Sequence, residues 1–256
     1  MSLYLGTTPI SRRVGLSPID IIFSGEVDSQ GNYIPAYECE YIGDVVFTGI
    51  KHITDPISKP SSTYAAGCFA SYFNHEFTSQ TTGRLKCRLI RGKISFPDLE
   101  TINVTSTSTS TYSVLGTTFN SFCNGQSAIT EFLFPKLSSI TSSSLRPFAY
   151  AFQNTTITSI RFPALSYLSG DSIFQYAFSK TYSLKDIYFD ALTTTSFGTT
   201  KVFNGMMSGA TNSSSVVHTI HFPSNMESTI SGLSGYPLFS GASGYVTLAY
   251  DLPATS

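Results

Sequence analysis

Apolar residues recur along this chain in one arrangement, clearest between Ile157 and Phe189. ITSIRFPALSYL (Ile157 to Leu168) is followed by FQYAF (Phe174 to Phe178), and LKDIYFDAL (Leu184 to Leu192) opens the arrangement again. The shared template is apolar-x-x-apolar-x-Phe-Pro-x-Leu-x-x-apolar, then Phe-x-x-x-Phe and a polar break. Alternation before the Phe predicts a short strand. The Phe and the apolar residue two positions earlier face inward, and the residue between them faces outward. Proline after the Phe has no N–H to give a neighbouring strand, so the strand ends there. The i, i+4 spacing of the second part places both apolar side chains on one side of a single helical turn.

The strand anchors are Phe47, Phe96, Phe134, Phe162, Phe189, Phe222 and Tyr250, at spacings of 49, 38, 28, 27, 33 and 28 residues. The i, i+4 pairs are Phe69/Phe73, Phe119/Cys123, Phe148/Phe152, Phe174/Phe178 and Phe203/Met207. A basal period of 27 or 28 residues with insertions, such as Pro56 to Ala65 and Thr105 to Thr117, is a solenoid pattern. Stacking at about 4.8 Å per strand lines the Phe residues into a ladder that no single repeat could bury alone. The expected fold is a β-rich solenoid over residues 39–256, with about seven short parallel strands, single helical turns, Ser/Thr-rich insertions and a closing C-terminal strand. Residues 1–38 do not fit the template. LYLGTTPIS and IDIIFSGEV read as short strands and VDSQGNY as hairpin chemistry, so this stretch is read as an N-terminal cap or attachment segment.

ITSIRFPALSYL, ITEFLFPKLSSI and KISFPDLETI, each followed by Phe-x-x-x-Phe or a variant, resemble the BspA-like leucine-rich repeats of bacterial surface proteins. The resemblance covers about residues 42–250. It departs at Arg91, which takes the first apolar position, and at Thr48 and Asp190, which stand where the template has Pro. The opening LYLGTTPIS is similar, over its nine residues, to the start of small structural proteins from tail modules of phages and prophages of gut bacteria. Together the resemblances imply a non-enzymatic virion surface projection, a tail fibre or tail tip that binds a receptor. The alternatives are a bacterial cell-surface adhesin domain and a purely structural virion decoration protein. The implied partners are other virion proteins or further copies of the chain, met through residues 1–38, and a bacterial surface protein or glycan. The class also implies a homo-oligomer. The implied location is the virion, or the bacterial cell surface for an adhesin.

Composition narrows this further. Only 12% of residues are charged and the net charge is -1, which argues against a nucleic-acid partner. Ser and Thr exceed a quarter of the chain and Trp is absent, a balance suited to strands and exposed turns. No apolar run approaches the roughly eighteen residues of a membrane helix, so membrane insertion is not expected. MSLYLGTTPISRR lacks the apolar stretch and cleavage site of a signal peptide. Cys39, Cys68, Cys87 and Cys123 form no C-x-x-C pair, and Cys68 and Cys123 sit in apolar patches as structural thiols.

Candidate chemistry is sparse. His218 and His221 lie three apart in a strand, so they point to opposite faces and do not share a metal. GLSGYP (Gly232 to Pro237) lacks the strand-turn-helix context of a nucleophile elbow. Asp98 and Glu227 occupy repeat positions different from that of Glu131 and Asp186, and all four read as solvated carboxylates rather than a hydrolytic pair. The sequons at Asn103, Asn154 and Asn212 are chance matches in a Ser/Thr-rich chain. Neither enzymatic activity nor a cofactor is expected. What remains is surface. The outward row between the two inward residues reads Val46, Ser95, Leu133, Arg161, Tyr188, His221, Ala249, and the row two residues earlier reads Asp44, Lys93, Glu131, Ser159, Asp186, Thr219, Thr247. By resemblance this is the concave binding face, and the candidate contacts are Lys93, Glu131, Leu133, Arg161, Asp186, Tyr188 and His221. Arg161, Tyr188 and His221 form a contiguous cationic and aromatic strip of the kind enriched at binding hot spots. The Ser/Thr-rich insertions are a second candidate, since loops on a rigid scaffold often carry recognition.

Overall fold

The computed structural model describes residues 3–5, 8–10, 39–42, 44–57, 87–106, 118–119, 121–143, 146–194, 197, 201–210, 216–233 and 245–255. Its strands are β1 (Leu3–Leu5), β2 (Thr8–Ile10), β3 (Cys39–Ile42), β4 (Val45–Val46), β5 (His52–Ile57), β6 (Cys87–Ser95), β7 (Thr101–Ser106), β8 (Ile129–Leu133), β9 (Ser139–Ser142), β10 (Ser159–Arg161), β11 (Tyr167–Ser169), β12 (Asp186–Tyr188), β13 (His218–Pro223) and β14 (Val246–Leu252). One short helix, α1, spans Glu227–Ser231.

Five template anchors directly follow a strand of one parallel sheet, ordered β14-β13-β12-β10-β8-β6-β3 with β4 also on β6, while Phe222 and Tyr250 lie within β13 and β14. Beneath it the anchor rings stack in sequence. Centroids lie 4.6 Å apart for Phe47–Phe96, 5.4 Å for Phe96–Phe134, 5.8 Å for Phe134–Phe162, 5.4 Å for Phe162–Phe189, 5.4 Å for Phe189–Phe222 and 6.1 Å for Phe222–Tyr250. A parallel in-register sheet repeats at about 4.8 Å, so one inward aromatic per strand must stack on the next. Proline stops the ladder at Phe96, Phe134 and Phe162, whereas β13 runs through Pro223 at the cost of a register shift against β14.

A second parallel sheet, β11-β9-β7-β5, is absent from the sequence expectation. It arises from the Leu-x-x-apolar tail of the template. After each Phe a tight turn returns the chain, with Leu99, Leu137 and Leu165 each donating its N–H to the anchor carbonyl three residues back. Ile53, Ile102, Ile140 and Leu168 then align as the inward residues of four neighbouring strands. Pro56 and Thr105, read from sequence as insertion residues, lie within β5 and β7. Pro56 is tolerated because β5 is an edge strand. Among the described residues the sheet ends at β11, where Thr194 bonds through its side chain: its Oγ1 accepts the Leu168 N–H and donates to the Ser166 carbonyl.

The Phe-x-x-x-Phe segments are not helical turns, which corrects the sequence expectation. Residues 146–155 and 172–181 are runs of tight turns broken by a left-handed residue every fourth position: Tyr150 and Asn154, then Ser172, Tyr176 and Lys180, all at φ between 52° and 56°. Their N–H groups alternate. Those of Ala149, Ala151, Gln153 and Thr155 bond three residues back, while those of Phe148, Tyr150, Phe152 and Asn154 bond to Ile173, Gln175, Ala177 and Ser179 of the following repeat. Period-four turns bury i and i+4 together just as a helix would, so Phe119/Cys123, Phe148/Phe152, Phe174/Phe178 and Phe203/Met207 all face the core. Phe69/Phe73 lies outside the described residues. Gly205 (φ +59°) takes the position of Tyr176 in the next run, where a Cβ would stand 2.7 Å from the Tyr176 ring.

Both sheets and the stacked turns contribute to a single buried core whose largest side chains are phenylalanines. Cys123 is part of it, and burial pushes its thiol pKa well up, consistent with a structural residue. At the other end of the chain, β1 and β2 form an antiparallel hairpin within the stretch read as an attachment segment. The strand and hairpin expected at IDIIFSGEV and VDSQGNY, like Cys68, lie outside the described residues.

Candidate binding face

The outward row read from sequence exists in register. Val46 pairs with Ser95, Ser95 with Leu133, Leu133 with Arg161, Arg161 with Tyr188, Tyr188 with His221, and His221 with Ala249. The earlier row aligns too, with Lys93 beside Glu131, and Ser159, Asp186, Thr219 and Thr247 beside one another. Each position is outward because its neighbours Ile94, Phe132, Ile160, Ile187 and Ile220 are inward and buried.

Three members of the row form one stack across three strands. The Arg161 guanidinium carbon lies 4.5 Å from the Tyr188 ring centroid, and the Tyr188 ring lies 4.3 Å from the His221 ring at an interplanar angle of 11°. Carboxylates fix both ends. Asp190 receives Arg161 Nε at 2.7 Å and Nη2 at 2.6 Å, a bidentate pair that raises the guanidinium pKa further. His221 Nδ1 meets the Asp251 carboxylate at 2.9 and 3.0 Å, and its Nε2 meets Asp186 Oδ1 at 3.2 Å. Burial, then the Asp186 charge, raises the pKa of the Tyr188 hydroxyl. Both faces of Tyr188 are occupied, so the stack offers a ligand its edges and the surrounding carboxylates rather than an open ring.

Lys93 and Glu131 form a separate pair at 2.6 Å on β6 and β8, and Glu131 raises the Lys93 pKa. The Lys93 N–H also bonds Asp44 Oδ1 at 3.0 Å. Leu133 is half-buried between this pair and Arg161 in the row. Of the residues singled out from sequence, the structure therefore joins Arg161, Tyr188, His221 and Asp186, and keeps Lys93 and Glu131 as a unit of their own. His218 and His221 do face opposite ways. His218 is buried, with Nδ1 against the Leu184 carbonyl and Nε2 3.4 Å from that of Ala210.

Asp190 and Asp251 were missed from sequence. Both directly follow an anchor aromatic, where four other repeats have Pro. The anchor faces inward, so the next residue faces outward beside the row, and a carboxylate there signals a partner. Asp98, the second residue after its anchor, is tied differently: it accepts the Gly49 N–H at 3.0 Å and Lys136 Nζ at 3.0 Å. The Gly49 bond and then Lys136 hold its pKa below the usual carboxylate value. Glu227 is exposed in α1. Among the described residues no group of three or more His, Cys, Asp or Glu side chains could hold a metal ion. No described helix is long and apolar enough to cross a membrane.

No protein-family model, curated protein or solved structure matches the chain.

Proposed function

We propose that this chain is a non-enzymatic attachment protein: a leucine-rich repeat solenoid of the BspA-like type, carried as a phage virion surface projection whose first-sheet face meets the bacterial surface. The observation that carries this reading is the Arg161–Tyr188–His221 stack, clamped by Asp190, Asp186 and Asp251. Groups held in place before a ligand arrives lose little entropy on binding, and exposed rows of Arg and Tyr suit recognition better than solvation. The virion setting rests on the resemblance of LYLGTTPIS to tail-module proteins, with residues 1–38 as the attachment segment. The runner-up, a bacterial cell-surface adhesin domain, rests on the resemblance of the repeats themselves.

Two experiments separate these readings. Fluorescently labelled protein is incubated with intact cells of a panel of gut bacteria. Arg161→Ala/Tyr188→Ala should abolish cell binding while leaving the circular dichroism spectrum intact. Undiminished binding by that variant sinks the proposed face. Deleting residues 1–38 should abolish incorporation into particles and leave the repeats folded. Incorporation of the truncated protein defeats the virion reading, and cell binding by a protein that joins no particle even at full length is the adhesin outcome.

A further inference from the structure

The second sheet presents a different outward surface. Its two rows read His52, Thr101, Ser139, Tyr167 and Thr54, Asn103, Thr141, Ser169, each set aligned across four strands. All eight side chains carry a hydrogen-bonding group, and none is a carboxylate, an ammonium or a guanidinium. Two contacts within the rows hold the array in place: His52 Nδ1 to Thr101 Oγ1 at 2.9 Å, and Thr141 Oγ1 donating to Asn103 Oδ1 at 2.9 Å. Thr54, Ser139, Tyr167 and Ser169 make no side-chain hydrogen bond to a described residue.

Tyr167 stands at the β11 edge of this array and is 46% exposed, one of three large apolar side chains left open among the described residues. Three other tyrosines use their rings internally: Tyr150 stacks on Tyr176 at 5.1 Å, and Tyr188 lies between Arg161 and His221. No ring of a described residue stacks on Tyr167.

We infer that this face docks an uncharged glycan chain, laid across the strands with one sugar ring stacked on Tyr167 and its hydroxyls bonded to Ser139, Thr141, Asn103 and Ser169. Three features carry the assignment. A surface without formal charge offers nothing to an anionic or cationic partner, whereas a neutral polyhydroxyl chain can exchange water for hydroxyl and amide groups without stranding a charge. The strands repeat at about 4.8 Å, close to the advance of one pyranose unit along an extended glycan, so successive sugars can meet successive rungs. An exposed aromatic at the end of a polar row supplies the apolar contact that hydroxyl bonding alone lacks. The site is independent of the Arg161–Tyr188–His221 stack and lies on another sheet.

Affinity electrophoresis of the full 256-residue chain tests it, in gels cast with soluble β-glucan, α-mannan or galactan and, as charged comparisons, alginate and heparin. At least one neutral polysaccharide should retard the protein. Tyr167→Ala should weaken that retardation at least tenfold, Tyr167→Phe should retain most of it, and Asn103→Ala should weaken it less than Tyr167→Ala does. Arg161→Ala/Tyr188→Ala should leave it unchanged. Retardation by the charged polysaccharides alone, by none, or equally in wild type and Tyr167→Ala would overturn the inference. Loss of retardation in Arg161→Ala/Tyr188→Ala would move the glycan to the first sheet.

Discussion

The same strands carry two stacked columns, one on each face, and they differ in kind. Inside, six of the seven anchors from Phe47 to Tyr250 are phenylalanine, and all six are buried to 1% exposure or less. Outside, Arg161, Tyr188 and His221 sit at the same strand spacing, but each is a different residue and each end is tied by a carboxylate. Identical backbone geometry supports both, so geometry alone does not explain the contrast. The inner column needs only shape and apolar area, and repetition serves it. The outer column loses contact area to water and is held by charge and hydrogen bonds, and variety there has no packing rationale. That asymmetry supports the proposal of recognition for the outer column, beside the packing role of the inner one.

The sharpest way to break the comparison is Phe162→Ala. It removes a ring stacked between Phe134 and Phe189 and leaves a cavity. The expected loss is about 3–5 kcal/mol, a large share of a typical domain's stability. Urea unfolding should show it as a lowered midpoint; a loss below about 1 kcal/mol would mean that the column is not the core. On the outer face a double-mutant cycle of Arg161→Ala and Tyr188→Ala should give a coupling of only about 0.5–1 kcal/mol, because the Arg161 guanidinium stays exposed to water. A coupling as large as the inner loss would erase the distinction. The smallest effect concerns Asp98. Its pKa is depressed in the folded chain, so its stabilising contribution is present above the ordinary carboxylate pKa of about 3.9 and is lost as pH falls through the lower folded value. Thermal unfolding of wild type and Asp98→Asn should differ at pH 7 and converge near pH 2. A constant difference would show that the carboxylate charge is not responsible.

The strand column was legible because Phe-Pro punctuates it and an inward partner recurs two residues earlier. The outward rows followed from alternation, and every register pair through Arg161, Tyr188 and His221 agrees with that reading. The second sheet was hidden because β9 and β11 each show a single inward apolar residue at the tail of the template, Ile140 and Leu168, too short an alternation to read as a strand; β7 alternates further, with Ile102 and Val104 both buried. The turns were mistaken for helix because spacing reports which residues share a side and not the backbone that puts them there. Only the left-handed residues distinguish the two, and Tyr at 150 and 176 gives no such hint. Asp190 was passed over as a departure from Pro and Asp251 was not singled out at all, although a carboxylate at an outward position calls for a partner.

The turn side has one further consequence. Phe119 donates to Pro147, Phe148 to Ile173 and Phe174 to Val202, and a parallel column runs from Cys123 to Ala151, Phe152 to Ala177 and Phe178 to Met206. In each column the peptide that donates forward also accepts from behind, so peptide dipoles align head to tail, as along a helix but perpendicular to the chain. Along a β-strand successive peptides point to opposite sides, so such dipoles largely cancel. This side of the molecule therefore has an electrical direction, positive toward residues 201–210 and negative toward residues 118–126, written in the backbone and indifferent to side-chain charge.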